Sequence, residues 1–377
     1  MHDFEVHELL SIVEVFATSF DHLPAHIPGR RDYRVLMAAG SLVPRFAVVG
    51  QLARDGAVEL VQVDLDLGSG WDSSDSGAGH DGGVTAVGFK GVDGLRLAGD
   101  RFPAEGAGER TEEGPPVVFL HGGGQTRHSW GGTARQVAAR GMTAYTLDAR
   151  GHGDSDWAGD GDYRLALFAG DVEAVVGQLG ERPVLVGASL GGLTSILLTG
   201  ELSPGVARAV VLVDIVPDME PAGAERIRAF MAERANEGFA SLEEAADLVA
   251  GYNTHRERPP DPSGLAKNLR ERDGRWYWHW DPRFMQAVEG KSPSEIMDVD
   301  RLHAAVERMV ADVPVLLVRG RMSDLVSEEK ADDFLSRFPT VEFVDVSGAG
   351  HMVAGDRNDA FTDAVLAFLD RHHLAPG

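Results

Sequence analysis

The sequence of 377 residues contains no cysteine. Disulfide bonds and thiolate zinc sites are therefore excluded, and no thiol can act as a nucleophile. Positive charge is also scarce, because 35 Lys and Arg residues face 59 Asp and Glu residues for a formal net charge of −24. Such a chain repels the phosphates of nucleic acids and the surface of anionic membranes, so we expect neither as a partner.

Long apolar runs are missing as well. No stretch approaches the ~20 residues needed to span a bilayer, and the N-terminus Met-His-Asp-Phe-Glu lacks the basic and apolar pattern of a secretory signal. We therefore expect a cytoplasmic protein. The chain is 43% hydrophobic and 25% charged, which is typical of a globular protein with a large core.

Residues 71–84 are rich in glycine and small polar side chains, which bury little apolar surface, and are predicted to form a linker. They follow an N-terminal region, residues 1–70, in which two β-rich runs within residues 46–66 surround Asp55-Gly56 and predict a hairpin. Residues 9–18 fit a helix or a buried strand equally well. The region contains no catalytic constellation, and its role stays open.

After the linker, strand-like and helix-like segments alternate, which predicts an α/β fold with a mostly parallel sheet of eight strands. A helical stripe of apolar residues over 165–179 predicts one of the covering helices. Residues 217–298 are rich in helix formers without a comparable strand, and they predict a helical cap inserted between the core segments 85–216 and 299–377. The eight predicted strands are Thr85–Gly91, Leu95–Phe102, Val117–Leu120, Thr143–Leu147, Val184–Val186, Ala209–Val213, Val315–Val318 and Glu342–Val346.

The strongest local motif is Gly187-Ala188-Ser189-Leu190-Gly191, which lies between a buried strand and a helix-like run. This G-x-S-x-G pattern is typical of a nucleophilic serine on a sharp turn at the end of a strand. The flanking glycines keep side chains from clashing in the turn, and the helix that follows directs its first amides toward developing negative charge. Ser189 is therefore the candidate nucleophile.

A second motif, His121-Gly122-Gly123-Gly124, directly follows a predicted strand. Acyl transfer needs two backbone donors for the oxyanion, and a glycine loop lets the backbone approach the substrate closely. The N–H groups of Gly123 and Leu190 are the candidate oxyanion hole. We interpret His121 as a structural residue that orients the turn, rather than as a catalytic base.

With these motifs and Leu147-Asp-Ala-Arg-Gly-His-Gly-Asp-Ser155, residues 85–372 resemble the α/β-hydrolase superfamily. The resemblance is to its capped branch, which contains esterases, lactonases, cofactor-free haloperoxidases, carbon–carbon bond hydrolases and epoxide hydrolases. Epoxide hydrolases and haloalkane dehalogenases carry aspartate at the elbow, so the serine found here argues against both chemistries. The resemblance implies a catalytic triad and requires neither a cofactor nor a metal.

The family pattern places the general base on a loop after the last strand, where this chain has Ser347-Gly-Ala-Gly-His351. His351 is therefore the candidate base. Most members carry the acid after the seventh strand, which favours Asp324. Some relatives carry it after the sixth strand, so Asp214 is the rival candidate.

Two other clusters have competing interpretations. The run Asp148 to Asp156 resembles a metal cluster, but it falls where the family has a structural turn, and we expect no metal there. The run Arg275-Trp276-Tyr277-Trp278-His279-Trp280 holds three of the six tryptophans. Trp276 and Trp278, with Trp130, are candidate aromatic walls of a substrate site, and the alternative for the cap tryptophans is a structural cap core.

The sequence thus predicts a serine hydrolase that cleaves an ester or lactone of a hydrophobic small molecule. The alternatives are a carbon–carbon bond hydrolase or a cofactor-free perhydrolase or haloperoxidase that uses the same triad. A non-catalytic binding protein on the hydrolase fold is a further alternative, against which the complete set of catalytic groups argues. The precise substrate and the oligomeric state stay open.

Overall fold

The computed structural model divides the chain into two compact units, Met1–Gly79 and His80–Gly377. The structure describes residues 25–27, 30–38, 45–52, 58–66, 83–105, 114–252, 258, 260–286, 298–351, 353 and 358–376. Residues 9–18, whose secondary structure was ambiguous, and residues 71–82 of the predicted linker lie outside this described part.

The described residues of the first unit form a four-stranded antiparallel sheet in chain order, with strands β1 (Ala25–Ile27), β2 (Arg30–Ala38), β3 (Arg45–Leu52) and β4 (Val58–Asp66). The register pairs Val48 with Val63 across β3 and β4. The predicted hairpin around Asp55-Gly56 is therefore confirmed in its two strands.

The second unit contains the predicted sheet of eight strands, and the fold class is confirmed. The strands are β5 (Thr85–Lys90), β6 (Arg96–Phe102), β7 (Val117–Leu120), β8 (Ala144–Leu147), β9 (Val184–Ala188), β10 (Ala209–Val213), β13 (Val315–Gly320) and β14 (Glu342–Val346). Their spatial order is β14-β13-β10-β9-β7-β8-β6-β5. Strand β6 pairs antiparallel with both of its neighbours, and the other pairs in the sheet are parallel.

Helices cover both faces of this sheet, as short apolar strands require. The core helices are α1 (Gly131–Ala139), α2 (Leu165–Leu179), α3 (Leu190–Leu197), α7 (Val299–Asp312), α8 (Glu328–Arg337) and α9 (Asn358–Arg371). Helices α1 and α9 pack on one face, and α2, α3, α7 and α8 pack on the other. Among the described residues, no helix is both long and apolar enough to cross a membrane.

Helix α2 matches the stripe predicted over 165–179. Phe168, Val172, Val175 and Val176 are buried. The helix ends at Gly180, which adopts the left-handed conformation with φ of 74°, a position that favours glycine.

The cap lies between β10 and α7 and is not purely helical. It contains the helices α4 (Pro221–Ala232), α5 (Leu242–Tyr252) and α6 (Pro282–Gln286), together with an antiparallel hairpin of β11 (Leu269–Arg272) and β12 (Arg275–Trp278). The hairpin turns at Asp273 and Gly274, whose φ values of 52° and 74° match the two-residue turn that Asp-Gly favours. The cap predicted as helical therefore also contains a short hairpin, which the sequence did not indicate because each strand has only four residues and β11 is mostly charged.

Candidate active site

Ser189 occupies a sharp turn between β9 and α3. Its backbone has a φ of 46° and a ψ of −111°, a strained conformation for a residue with a side chain. Its N–H donates to Val213 O of β10 at 3.2 Å. A Cβ atom on Gly187 would collide with the backbone of Gly191. The two glycines of the motif are therefore required by close packing, and the turn places Ser189 at the carboxyl end of the sheet.

The glycine loop after β7 lies beside this turn. A Cβ atom built on Gly122 would lie 3.3 Å from Ser189 Cβ. Gly122 N–H donates to Gln125 Oε1 at 3.1 Å, and Gln125 N–H donates to Gly122 O at 3.1 Å. The structure therefore brings the loop that carries Gly123 next to Ser189, while Leu190 directly follows the serine as the first residue of α3.

His121 has structural partners in this loop. Its Nε2 atom accepts a hydrogen bond from Ala149 N–H at 3.0 Å, and its Nδ1 atom lies 2.7 Å from Gly122 O. Because Nε2 accepts, the proton of the neutral ring is on Nδ1, which donates to Gly122 O. Burial lowers the pKa of His121 below its ordinary value. This environment matches the interpretation of His121 as a residue that orients the turn.

His351 meets a buried carboxylate from β10. Its Nδ1 atom lies 2.7 Å from Asp214 Oδ2, and the Asp214 side chain is 0% exposed. The carboxylate also accepts hydrogen bonds from Gly320 N–H at 2.9 Å and from Ser323 Oγ at 2.6 Å. Asp214 is thus held rigidly by three donors, one of which is the candidate base.

The structure does not bring Asp324 to His351, and the carboxylate that pairs with this histidine is that of the rival candidate, Asp214. The Asp324 side chain is 37% exposed and pairs with Arg226 of cap helix α4 at 2.7 Å. A Cβ atom on Gly223 of the same helix would collide with Asp324 O. Asp324 therefore contacts the cap through an exposed ion pair and through close backbone packing. Both aspartates follow the carboxyl ends of neighbouring parallel strands. For this reason the sequence alone does not distinguish them as the acid.

Three apolar side chains of the cap cover the glycine loop. A Cβ atom built on Gly123 would lie 3.6 Å from Phe284 Cε1 and 3.7 Å from Met231 Sδ. A Cβ atom on Gly124 would lie 3.4 Å from the Trp280 ring. Met231 and Phe284 were not found from the sequence, since nothing in their local pattern distinguishes them from other apolar residues of the cap.

The three tryptophans predicted to line the substrate site lie elsewhere. Trp130 is 1% exposed and packs in the core, with its ring centroid 5.4 Å from that of Phe119 and 5.6 Å from that of Phe361. Trp130 lies inside the core and not at the surface of a substrate site, so the prediction that it lines such a site is wrong.

The two cap tryptophans belong to the core of the cap. Trp278 is buried, stacks on Trp280 at 4.7 Å and donates from Nε1 to Glu233 O at 3.0 Å. Trp276 is partly buried against the same apolar cluster, and its backbone pairs with Phe239. The alternative of a structural cap core therefore describes them better, and their assignment as substrate walls is corrected.

The acidic run after β8 is engaged in structural contacts. Asp148 accepts hydrogen bonds from Arg127 N–H at 2.7 Å and from Asp154 N–H at 2.9 Å, and it also pairs with the Arg127 guanidinium. Arg150 forms a buried two-point ion pair with Asp171 at 2.6 and 2.7 Å. Within the described ranges, no group of three or more His, Cys, Asp and Glu side chains has the arrangement of a metal site.

Three buried histidines, whose rings are tilted against one another, connect the core to the cap. The ring of His152 lies 5.2 Å from that of His121 and 5.8 Å from that of the cap residue His279. Burial, together with the neighbouring His121, lowers the pKa of His152 to about 3. Burial also lowers the pKa of His279 well below its ordinary value. All three rings are therefore neutral near pH 7, and each presents one donor and one acceptor.

This chain is similar to a group of known hydrolases. The model of a family described as "Alpha/beta hydrolase family" matches residues 117–364. Esterase Rv0045c of Mycobacterium tuberculosis is 33% identical over 270 residues, which cover 68% of this chain and 83% of the esterase. The sn-1-specific diacylglycerol lipase ABHD11 of Mus musculus is 30% identical over 68% of this chain and 81% of the lipase.

The same comparison extends to solved structures. An alpha/beta hydrolase from Novosphingobium aromaticivorans superposes with a TM-score of 0.63 at 28% identity, and the match covers 76% of this chain and 98% of that protein. The similarity therefore includes both the arrangement of the strands and the sequence that they carry.

Proposed function

Because the chain belongs to the α/β-hydrolase family, we propose that it cleaves an ester or lactone of a hydrophobic small molecule through an acyl-enzyme on Ser189. The observation that carries this proposal is the hydrogen bond of 2.7 Å between His351 and the buried carboxylate of Asp214, in a unit that also places a strained serine beside a glycine loop. A nucleophile, a base oriented by an acid and a loop of backbone donors are the parts that acyl transfer requires.

Each residue then has a defined role in the reaction. Asp214 accepts a hydrogen bond from Nδ1–H of His351 and so keeps that proton on Nδ1, which leaves Nε2 free to take the proton of the Ser189 hydroxyl. Ser189 Oγ attacks the acyl carbonyl carbon, and the N–H groups of Gly123 and Leu190 stabilise the oxyanion. His351 gives the proton to the leaving alkoxide. Water, activated by the same histidine, then releases the acid and regenerates Ser189.

The side chains around the loop support a hydrophobic acyl group. Phe284 and Met231 approach Gly123 from the cap, so an acyl carbon bound at the oxyanion hole would contact a ring edge and a thioether. Burying one apolar group of this size contributes roughly 1.5–3 kcal/mol, which corresponds to a selectivity of about ten to a hundredfold. We therefore expect butyrate or larger acyl groups to be preferred over acetate.

The names of the relatives support the choice of bond. Two of them are called an esterase and a diacylglycerol lipase, and both names refer to ester cleavage. A carbon–carbon bond hydrolase or a perhydrolase would use the same triad, so the bond has to be tested with substrates of each class.

The test compares the intact chain with Ser189→Ala on p-nitrophenyl acetate, p-nitrophenyl butyrate, a lactone and a diketone. Ser203→Ala is the matched control, because this serine lies at the end of the turn after α3, where its hydroxyl bonds to Glu173. We expect Ser189→Ala to lose about 10⁴-fold or more in kcat at an unchanged melting temperature, and the control to keep full activity. Ester hydrolysis that survives in Ser189→Ala would contradict the proposal. Cleavage of the diketone alone would move it to a carbon–carbon bond.

A further inference from the structure

His279 of the cap contacts both the turn after β8 and the glycine loop after β7. Its Nδ1 atom accepts a hydrogen bond from Gly153 N–H at 2.8 Å, and its Nε2 atom lies 3.2 Å from Gly124 O. The side chain is buried, with 1% of the residue exposed. A single histidine thus joins the cap to two loops of the core.

The contact with Gly153 decides the tautomer of the ring. A backbone N–H can only donate, so Nδ1 must carry a lone pair. Burial keeps the pKa of His279 well below its ordinary value, and the neighbouring His152 and His121 lower it further. The ring is therefore neutral with its one proton on Nε2, and that proton is directed at Gly124 O.

Gly124 and Gly122 flank the candidate oxyanion donor, Gly123 N–H. The N–H of Gly122 donates to Gln125 Oε1, and its carbonyl accepts from His121 Nδ1. Gly124 adopts the left-handed conformation with φ of 73°. The carbonyl of Gly124 is therefore the point at which a partner can hold the second side of the loop, and His279 is that partner.

We propose that His279 is a positioning residue, which holds the Gly124–Gln125 peptide from the cap. The N–H of that peptide, on Gln125, donates to Gly122 O at 3.1 Å. The Gly122 carbonyl belongs to the same peptide as the Gly123 N–H group, so His279 restrains the direction of this donor through one intervening hydrogen bond. The inference rests on the proposed function, since it concerns the oxyanion hole of that reaction. It makes transition-state stabilisation depend on a docked cap. Loss of an entire oxyanion donor costs about 10²–10³ in kcat, so a misdirected donor should cost about 10–100-fold, with KM changed by less than about threefold.

Two substitutions separate the two hydrogen bonds of the ring. The side chain of His279→Gln has an amide N–H at the position of Nε2 and can still donate to Gly124 O. The side chain of His279→Asn has an oxygen at the position of Nδ1 and can accept from Gly153 N–H, but it is too short to reach Gly124. We expect kcat for p-nitrophenyl butyrate to fall about 10–100-fold in the Asn variant and to recover to within about fivefold of the native value in the Gln variant.

Arg270→Ala is the matched control for cap docking. Arg270 also joins the cap to the core, through an ion pair with Asp154 at 2.6 Å, but no contact described for it reaches the glycine loop. We expect its kcat to stay within about threefold of native. The proposal is overturned if Arg270→Ala falls as far as His279→Asn, because cap docking alone would then explain the effect. It is also overturned if His279→Asn keeps native kcat.

A measurement on the unaltered chain covers the case in which the variants do not fold. In long-range ¹H–¹⁵N correlation spectra of the full chain with ¹⁵N-labelled histidine, His279 should be in the Nε2–H tautomer from pH 6 to 8, whereas His121 should be in the Nδ1–H tautomer. An Nδ1–H tautomer at His279 would overturn the inference. The tautomer does not depend on turnover, so a chain that hydrolyses no ester would refute the proposed function separately.

Discussion

Replacing Asp214 by asparagine tests the acid of the proposed triad. The side chains have nearly the same shape, but asparagine has one acceptor oxygen and an N–H₂ group where aspartate has two oxygens. Asp214 now accepts from Gly320 N–H, Ser323 Oγ and His351 Nδ1. If the new N–H₂ group faces His351, the imidazole must accept at Nδ1 and hold its proton on Nε2, and it can no longer take the proton of Ser189.

The expected loss is large. A wrong imidazole tautomer costs about 10⁴ in kcat, which corresponds to about 5.4 kcal/mol of transition-state stabilisation. The control is Asp324→Asn, which weakens an exposed ion pair with Arg226. Such pairs contribute about 0–1 kcal/mol to stability, so its kcat should stay within about threefold of native.

The assay is the initial rate of p-nitrophenyl butyrate hydrolysis, read beside a thermal melt of each variant. The melt matters because Asp214 is buried and its replacement also loosens the loop of Ser323. A folded Asp214→Asn with native kcat would exclude Asp214 as the acid, and a loss of 10⁴ confined to Asp324→Asn would restore Asp324 as the acid.

Four further outcomes follow from the structure. Phe284→Ala should lower kcat/KM for p-nitrophenyl butyrate relative to p-nitrophenyl acetate by about tenfold, because the longer acyl chain loses an apolar contact, and an unchanged ratio would remove Phe284 from the acyl site. Trp278→Ala leaves a cavity in the cap core and should cost about 3–5 kcal/mol of stability. Turnover of all esters should fall by the same factor. A loss of turnover confined to the hydrophobic esters would show that Trp278 contacts substrate. His152 alone should lower the unfolding free energy by about 2 kcal/mol between pH 7 and pH 5. Burial lowers the pKa of His152 to about 3 in the folded chain, whereas a histidine in the unfolded chain has a pKa near 6.5. The unfolded chain therefore takes up the proton first as the pH falls. Urea melts at several pH values would contradict this if the unfolding free energy of His152→Phe changed with pH as steeply as that of the native chain. A chain that begins at Gly83 should hydrolyse p-nitrophenyl butyrate within about tenfold of the full chain, since residues 80–377 form a compact unit; a folded but inactive product would show that the N-terminal region completes the site.

The parts of the fold that could be predicted from the sequence are those with a local physical signature. Strands such as Val117–Leu120 and Ala209–Val213 are buried on both faces, so they occur as continuous apolar runs that are easy to locate. The turn at Ser189 is equally local, because its glycines are required by contacts within a few residues or with the adjacent strand.

Features that depend on distant contacts could not be predicted in this way. The choice between Asp214 and Asp324 depends on which one the loop of His351 reaches, since both follow parallel strands at one edge of the sheet. The alternation of Trp276, Trp278 and Trp280 indicates a shared face but not whether that face meets substrate or the cap core. Met231 and Phe284 became recognisable only when the cap was placed over Gly123.

Covalent labelling shows whether Ser189 is a nucleophile activated by His351. The full chain is incubated with a fluorophosphonate, and the modified residue is located by mass spectrometry of its peptides. We expect one phosphonyl group per chain, on Ser189, and labelling at least 10³-fold slower in His351→Ala, because the serine then lacks its base. A label on another residue, or a folded native chain that takes up none, would contradict it.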